Sequence, residues 1–425
     1  MLGQNYFANR LGDVYKYSRI QYQSGKGISN KNIKYCWELC IDHAGNIIFV
    51  LCPDKISNSL TNITKTNIQF FSGTSRDGKW ELECIALKCL AYELEITKKS
   101  TFFYLPQSVT LKRKTKVTQN PNLAKAYFSN FNFVTFDCNQ GFLVNLRKPP
   151  LQSSLSCIPF ILFQYKSLQN KKLCFQMLSE SKQLIELIEI GRINHSILSQ
   201  VIIPINKYEN IQFIEKQAES ISWFVSLINL NSNSIPIIEY LSGDDIIQYS
   251  IKNTVKNSFK KNYIIDNLHI DGGIPKAFHD CYENYQIWQS KIDINKFIDY
   301  LVEINQQDYI DLKWSTMILA YEYFLTKYLI EQNSLSQDET DTNIQGKLRL
   351  FNKHLRFIPR NMIKDKLRKS VRNPLFHQGE IVCMNTEDKI SFFNDYYDLL
   401  IKIVLRTLGY TGKYMSVKNN CPESP

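Results

Sequence analysis

A change of hydrophobic period divides this chain and limits its fold more than any other feature. From about residue 33 to 180, apolar residues alternate with polar ones in short runs, the pattern of half-buried strands. From about 207 they recur at helical spacing, so that one face of each segment is apolar. The expected class is α+β: an antiparallel β-rich N-terminal domain over 1–205, a helical connector over 206–285, a helical bundle over 286–412 and a poorly ordered tail over 413–425.

Turn chemistry places the strands. Residues 33–40 and 46–52 flank Asp42-His43-Ala44-Gly45, and Phe70-Phe71 meets 80–85 through Ser75-Arg76-Asp77-Gly78. Asp-Gly supplies the positive φ angles that a tight hairpin needs. Residues 131–138 and 142–146 are joined by Asn139-Gln140-Gly141, and 160–165 meets 173–177 across Gln169-Asn170. Four successive hairpins predict a sandwich or an open, curved sheet.

In the second half, Ile214, Ala218, Ile221, Val225 and Ile228 predict a helix over 208–230. Gly243-Asp244-Asp245 reads as the start of another, capped by Ser242 or Asp244. From about 290 to 408 the chain reads as almost wholly helical. One helix runs from Asp311 to Gln332, and Glu322 falls on its apolar stripe with Ile318, Leu325 and Leu329. A carboxylate in that position calls for a cationic partner. The segment 345–372 reads as a helix bent at Pro359 and ending at Asn373, because a residue before proline resists the α region. The last helix spans 388–408.

At 425 residues with a net charge of +11, roughly two to four folding units are expected, with polyanionic partners. Segment 345–372 alone holds ten Lys/Arg against one acid, Asp365. No signal-peptide pattern opens the chain and no apolar run is long enough to span a bilayer, so a soluble cytoplasmic protein without membrane contact is expected. Eleven cysteines form no Cys-x-x-Cys pair, and Cys36 and Cys40 lack a second pair at zinc spacing. No metal or cofactor is expected. Glycine-rich phosphate loops and the usual hydrolase motifs are absent from the sequence. His43, His269 and His279 read as turn or surface residues.

One short stretch carries the chemistry: Arg372-Asn373-Pro374-Leu375-Phe376-His377-Gln378-Gly379. Cleaving RNA without a metal requires deprotonating a ribose 2′-OH, stabilising a phosphorane and protonating the leaving 5′-oxygen. Histidine suits the proton transfers, and a permanently charged guanidinium suits the phosphorane. Asn373 can hold either the phosphate or the histidine. With twelve arginines and six histidines in the chain, the Arg-x4-His spacing is near chance, and it recurs at Arg349 and His354. The context distinguishes the first pair: a polar residue after the arginine, a proline, anchoring by Leu375 and Phe376, Gly379 at the end, and the basic segment upstream. In that segment Arg360, Lys364, Lys366, Arg368 and Lys369 are the candidate RNA contacts. The residues equally admit a structural account, in which Arg372 pairs with Glu322 and His377 caps a helix.

The motif resembles the Arg-(polar)-x3-His signature of the HEPN superfamily, and the helical pattern over 290–408 is similar to the HEPN bundle. The string 371–379, with Leu408-Gly409-Tyr410, is similar to ApeA-like HEPN proteins of prokaryotic antiviral defence; Pro374 departs from that pattern. The resemblance implies a metal-independent endoribonuclease acting in abortive infection, with two motifs facing each other in a homodimer. Arg372 and His377 would be catalytic, Asn373 the variable polar residue, and the N-terminal domain a sensor for a trigger or partner protein. Glu322 enters as a supporting partner of the arginine. The alternative is a non-catalytic RNA-binding module, a subunit or scaffold of a ribonucleoprotein or defence complex.

Overall fold

The computed structural model describes residues 23–41, 47–54, 67–93, 101–114, 120–129, 161–166, 171–178, 197–253, 263–265, 273–333, 335–340, 342–364, 367–381 and 384–425. They divide into a β unit and a helical unit, the division falling between Ser222 and Trp223 and again around residues 232 and 256.

In the β unit, β1 (Gln23–Ser29), β2 (Lys34–Ile41), β3 (Ile47–Pro53), β4 (Ile68–Ser75), β5 (Trp80–Glu93) and β6 (Thr101–Arg113) pair antiparallel. Because β3 also pairs with β6, through Phe49↔Tyr104 and Leu51↔Phe102, these six strands close into a barrel. The sheet continues beyond β6 through β12 (Asp245–Lys252), β11 (Ser234–Ser242), β7 (Leu123–Ser129), β10 (Ile197–Pro204), β9 (Lys172–Met177) and β8 (Ile161–Lys166). The expected hairpins β2–β3, β4–β5 and β8–β9 all form. The pair proposed over 131–146 lies outside the described residues.

The period of two explains the barrel core. Tyr35, Trp37, Leu39 and Ile41 of β2 are buried, as are Ile47, Phe49 and Leu51 of β3. Trp37 fits because β1 and β4 place glycines against its ring. A Cβ on Gly25 would come within 2.8 Å of the indole and 1.9 Å of Thr74 O, and one on Gly73 within 2.6 Å of Nε1.

Helix α1 (Ile211–Asn229) forms where its apolar period predicts. Asn210 caps it by accepting the Phe213 N–H at 2.8 Å. The reading of 206–285 as a helical connector is corrected over 234–252, where β11 and β12 stand. Gly243-Asp244 is their two-residue hairpin loop, with Gly243 at φ +61°, rather than a helix start. Glycine at the first central position matches the twist of paired strands, and the isoleucines on both sides favour the sheet.

The helical unit contains α2 (Gly273–Ile292), α3 (Ile294–Gln306), α4 (Ile310–Asn333), the single turn α5 (Gln337–Thr340), α6 (Ile344–Leu355), α7 (Asn373–Gln378) and α8 (Thr386–Leu408). Asn343 and Asn385 cap α6 and α8 through the N–H groups of Gly346 and Asp388. Ile318, Leu325 and Leu329 of α4 are fully buried, as their spacing predicts. The reading of 345–372 as one bent helix is corrected. Arg356, at φ +51°, ends α6, and the Asn352 side chain accepts the Ile358 N–H across the break. The tail expected to be disordered instead forms a hairpin of β13 (Tyr414–Ser416) and β14 (Cys421–Glu423), with Tyr414 buried.

Candidate nucleic-acid interface

The candidate site lies on a π-helical turn, Arg368–Arg372, that runs without a break into α7. The expected helix end at Asn373 does not occur. Pro374 has no N–H to donate, and its ring would crowd the carbonyl of Ser370, four residues back, in a regular α-helix. Widening the preceding turn relieves both problems. The Asn373 N–H reaches back five residues to Arg368 O, and the helix passes through the proline. Gly379, at φ +84°, then ends α7 with its N–H on Leu375 O. Val371 and Leu375, one turn apart, are buried and anchor the segment.

Phe376, expected as a second anchor, is instead 49 % exposed. The guanidinium carbon of Arg372 sits 5.6 Å from its ring centre. Arg372 Nε donates to Glu322 Oε1 of α4 at 2.9 Å, so the cationic partner required by Glu322 is Arg372. Each side chain is about a third exposed, and the pair orients the arginine more than it stabilises the fold. His377 is exposed, and no hydrogen bond or ion pair joins it to another described residue. Asn373 is half-buried.

Five residues apart on a helix, Arg372 and His377 leave the axis about 140° from each other. One copy of the segment therefore does not turn both side chains to one point. The structure joins Arg372 to Glu322 and Phe376 and leaves His377 on the open surface.

Of the candidate RNA contacts, Arg360, Lys364 and Lys369 are exposed and Arg368 is half-buried; Lys366 lies outside the described residues. Arg349 and His354, the second match to the spacing, sit on α6, where His354 is exposed. Sequence reasoning missed the exposed apolar side chains of α4. Leu312 and Leu319 of α4 are 49 % and 42 % exposed. Their signal was present in α4, which is apolar on most of its circumference, so that packing one face leaves another uncovered.

Among the described residues, no group of three His, Cys, Asp or Glu is placed to hold a metal, and no helix is long and apolar enough to cross a membrane. Searches against protein-family models, curated proteins and solved structures find no match to this chain.

Proposed function

We propose that the chain is a HEPN-type endoribonuclease of the ApeA-like kind, cutting RNA by attack of the ribose 2′-OH on the adjacent phosphate. The observation that carries this reading is an exposed His377 five residues after an Arg372 held by Glu322, in a unit that also exposes Arg360, Lys364 and Lys369. His377 transfers the protons, Arg372 faces the phosphorane, and Asn373 orients one of them. The roughly 140° between Arg372 and His377 favours a composite site made by two copies. Leu319 lies one turn before Glu322 and Phe376 one turn after Arg372, so exposed apolar side chains flank the ion pair and suit a homodimer face. In this reading the β unit senses the infection trigger or a partner protein, and the cleavage aborts infection in the cytoplasm.

The test is cleavage of single-stranded RNA in chelator by the full chain from infected cells. Cyclic phosphate ends are expected, with His377→Ala slower by about 10²–10⁴-fold. Equal cutting by His377→Ala removes the assignment. The engagement of Arg372 by Glu322 favours a second reading, an RNA-binding module without catalysis. That reading expects steeply salt-dependent RNA binding, weakened by Lys364→Ala and Lys369→Ala and indifferent to His377→Ala, with no cleavage from infected cells.

A further inference from the structure

The helical unit holds a half-open cavity of about 500 Å³ that the RNA reading does not use. Its walls are the end of α3, the first turn of α4, the first half of α8 and the β13–β14 hairpin. Lys313 of α4 lines it, and Lys313 and Glu322 are about two and a half turns apart, so they leave α4 on opposite sides. The cavity is therefore separate from the Arg372 site.

Its volume is that of an ordinary small-molecule pocket. On one side the rings of Phe393 and Tyr397 stack, centres 5.5 Å apart and planes within 18°. Tyr397 is 5 % exposed, and its hydroxyl has no hydrogen-bond partner among the described residues. Asn394 and Asn420 add carboxamides, each able to donate and to accept. The Lys313 ammonium forms no ion pair with a described residue. The hairpin wall is already fixed. Tyr414 donates to Asp398 at 2.7 Å, Lys402 to Glu423 at 3.0 Å, and the Met415 N–H to Ile264 O at 2.7 Å. A preformed wall lowers the ordering cost of binding.

A fatty chain would leave the carboxamides, the hydroxyl and the cation unmatched, and a free sugar would leave the aromatic side uncovered. A flat heteroaromatic ring carrying a sugar and one anionic group meets all four, and the Asp308 carboxylate, which also lines the cavity, is matched by a ribose hydroxyl that donates to it. We propose that this cavity binds a nucleoside monophosphate, its base beside Phe393 and Tyr397, its ring edge on the carboxamides and its phosphate on Lys313.

Calorimetry on the full chain tests this with AMP, GMP, CMP and UMP, the matching nucleosides and inorganic phosphate. At least one monophosphate is expected to bind more tightly than its nucleoside and than phosphate. Lys313→Gln should weaken that monophosphate about tenfold and leave the nucleoside unchanged. Val417→Trp, which enlarges a half-exposed wall residue into the cavity, should abolish both. Tyr397→Phe, which keeps the ring, should weaken both, and serves if the tryptophan variant does not fold. The proposal is overturned if no monophosphate binds more tightly than phosphate, or if Lys313→Gln and Tyr397→Phe bind it as the unaltered chain does. Neither variant touches Arg372 or His377, so the result stands whichever way RNA cleavage is decided.

Discussion

The barrel of the β unit and the interior of the helical unit solve the same problem with different materials. Inside the barrel, Trp37 lies against Phe49 at 6.2 Å between ring centres, Phe49 against Phe71 at 5.5 Å, and Phe71 against Tyr35 at 6.2 Å. Closure through β3 and β6 pairs the two outer strands of the six with each other around this aromatic interior. The helical unit instead buries Asp398 to 4 % exposure and Asn305 to 7 %, carries a π-helical turn and leaves Leu319 and Phe376 exposed. Buried polar groups and irregular turns cost stability. Asp398, the π turn and the exposed Leu319 and Phe376 lie in the unit that holds both the candidate RNA site and the cavity; the β unit buries polar groups as well, Lys171 among them.

The largest effect expected from breaking this comparison is in the barrel. Phe49 is fully buried between two rings, and no polar contact supplements it. Phe49→Ala should lower stability by about 3–5 kcal/mol, measured by denaturant unfolding with circular dichroism in the strand region. A loss under about 1 kcal/mol would mean that the barrel relaxes around the gap, contrary to a tightly interlocked core.

A smaller loss is expected where the helical unit relies on buried polarity. Tyr414→Phe keeps the ring and removes only the donor to Asp398. A hydrogen bond to a charged group contributes about 1.5–3 kcal/mol, so thermal unfolding should fall accordingly and amide exchange in β13 should quicken. Burial, and then the hydrogen bond to Asp398, push the Tyr414 hydroxyl well above its usual range, so it remains a donor through mildly alkaline pH. If Tyr414→Phe is as stable as the parent, apolar packing alone holds the hairpin and the contrast between the two units weakens.

Local features were legible in the sequence and distant pairings were not. The hairpin through Asp77-Gly78 and the helix over 211–229 follow from turn chemistry and period. So does the need of Glu322 for a cation, met by Arg372 fifty residues away. Barrel closure depends on Phe49 finding Tyr104, and nothing in either short segment records that. Gly243-Asp244-Asp245 carries residues suited both to a helix cap and to a hairpin loop, and the pairing of β11 with β7 and of β12 with β6 decides between them. The rule for residues before proline placed a break at Asn373, but a π turn absorbs the same steric conflict without one. At the candidate site, the motif and its ionic partner could be read. The surface apolar residues left only a general signal, a helix apolar on most of its circumference, because which of them stay exposed depends on how α4 is packed.

The smallest effect separates polar contacts near the surface from those in the interior. Asp280 of α2 accepts from the Thr411 hydroxyl at 2.7 Å, the Thr411 N–H at 3.1 Å and Lys276 at 3.1 Å, fastening the chain that leaves α8. Burial alone would raise its pKa, but hydrogen bonds from Thr411, His279 and Lys276 outweigh it and hold the carboxyl at about 2, below the usual 3.8. The folded state thus prefers the ionised form. The resulting stability is complete above the unfolded value of 3.8 and is lost as pH falls through about 2. Solvent screening should keep this contribution under about 1 kcal/mol. Between pH 5 and pH 2, the melting temperature of the parent should therefore fall slightly more steeply than that of Asp280→Asn. Parallel curves would show that the carboxylate contributes nothing as a charge, and that Asp280 holds the chain after α8 only as a hydrogen-bond acceptor.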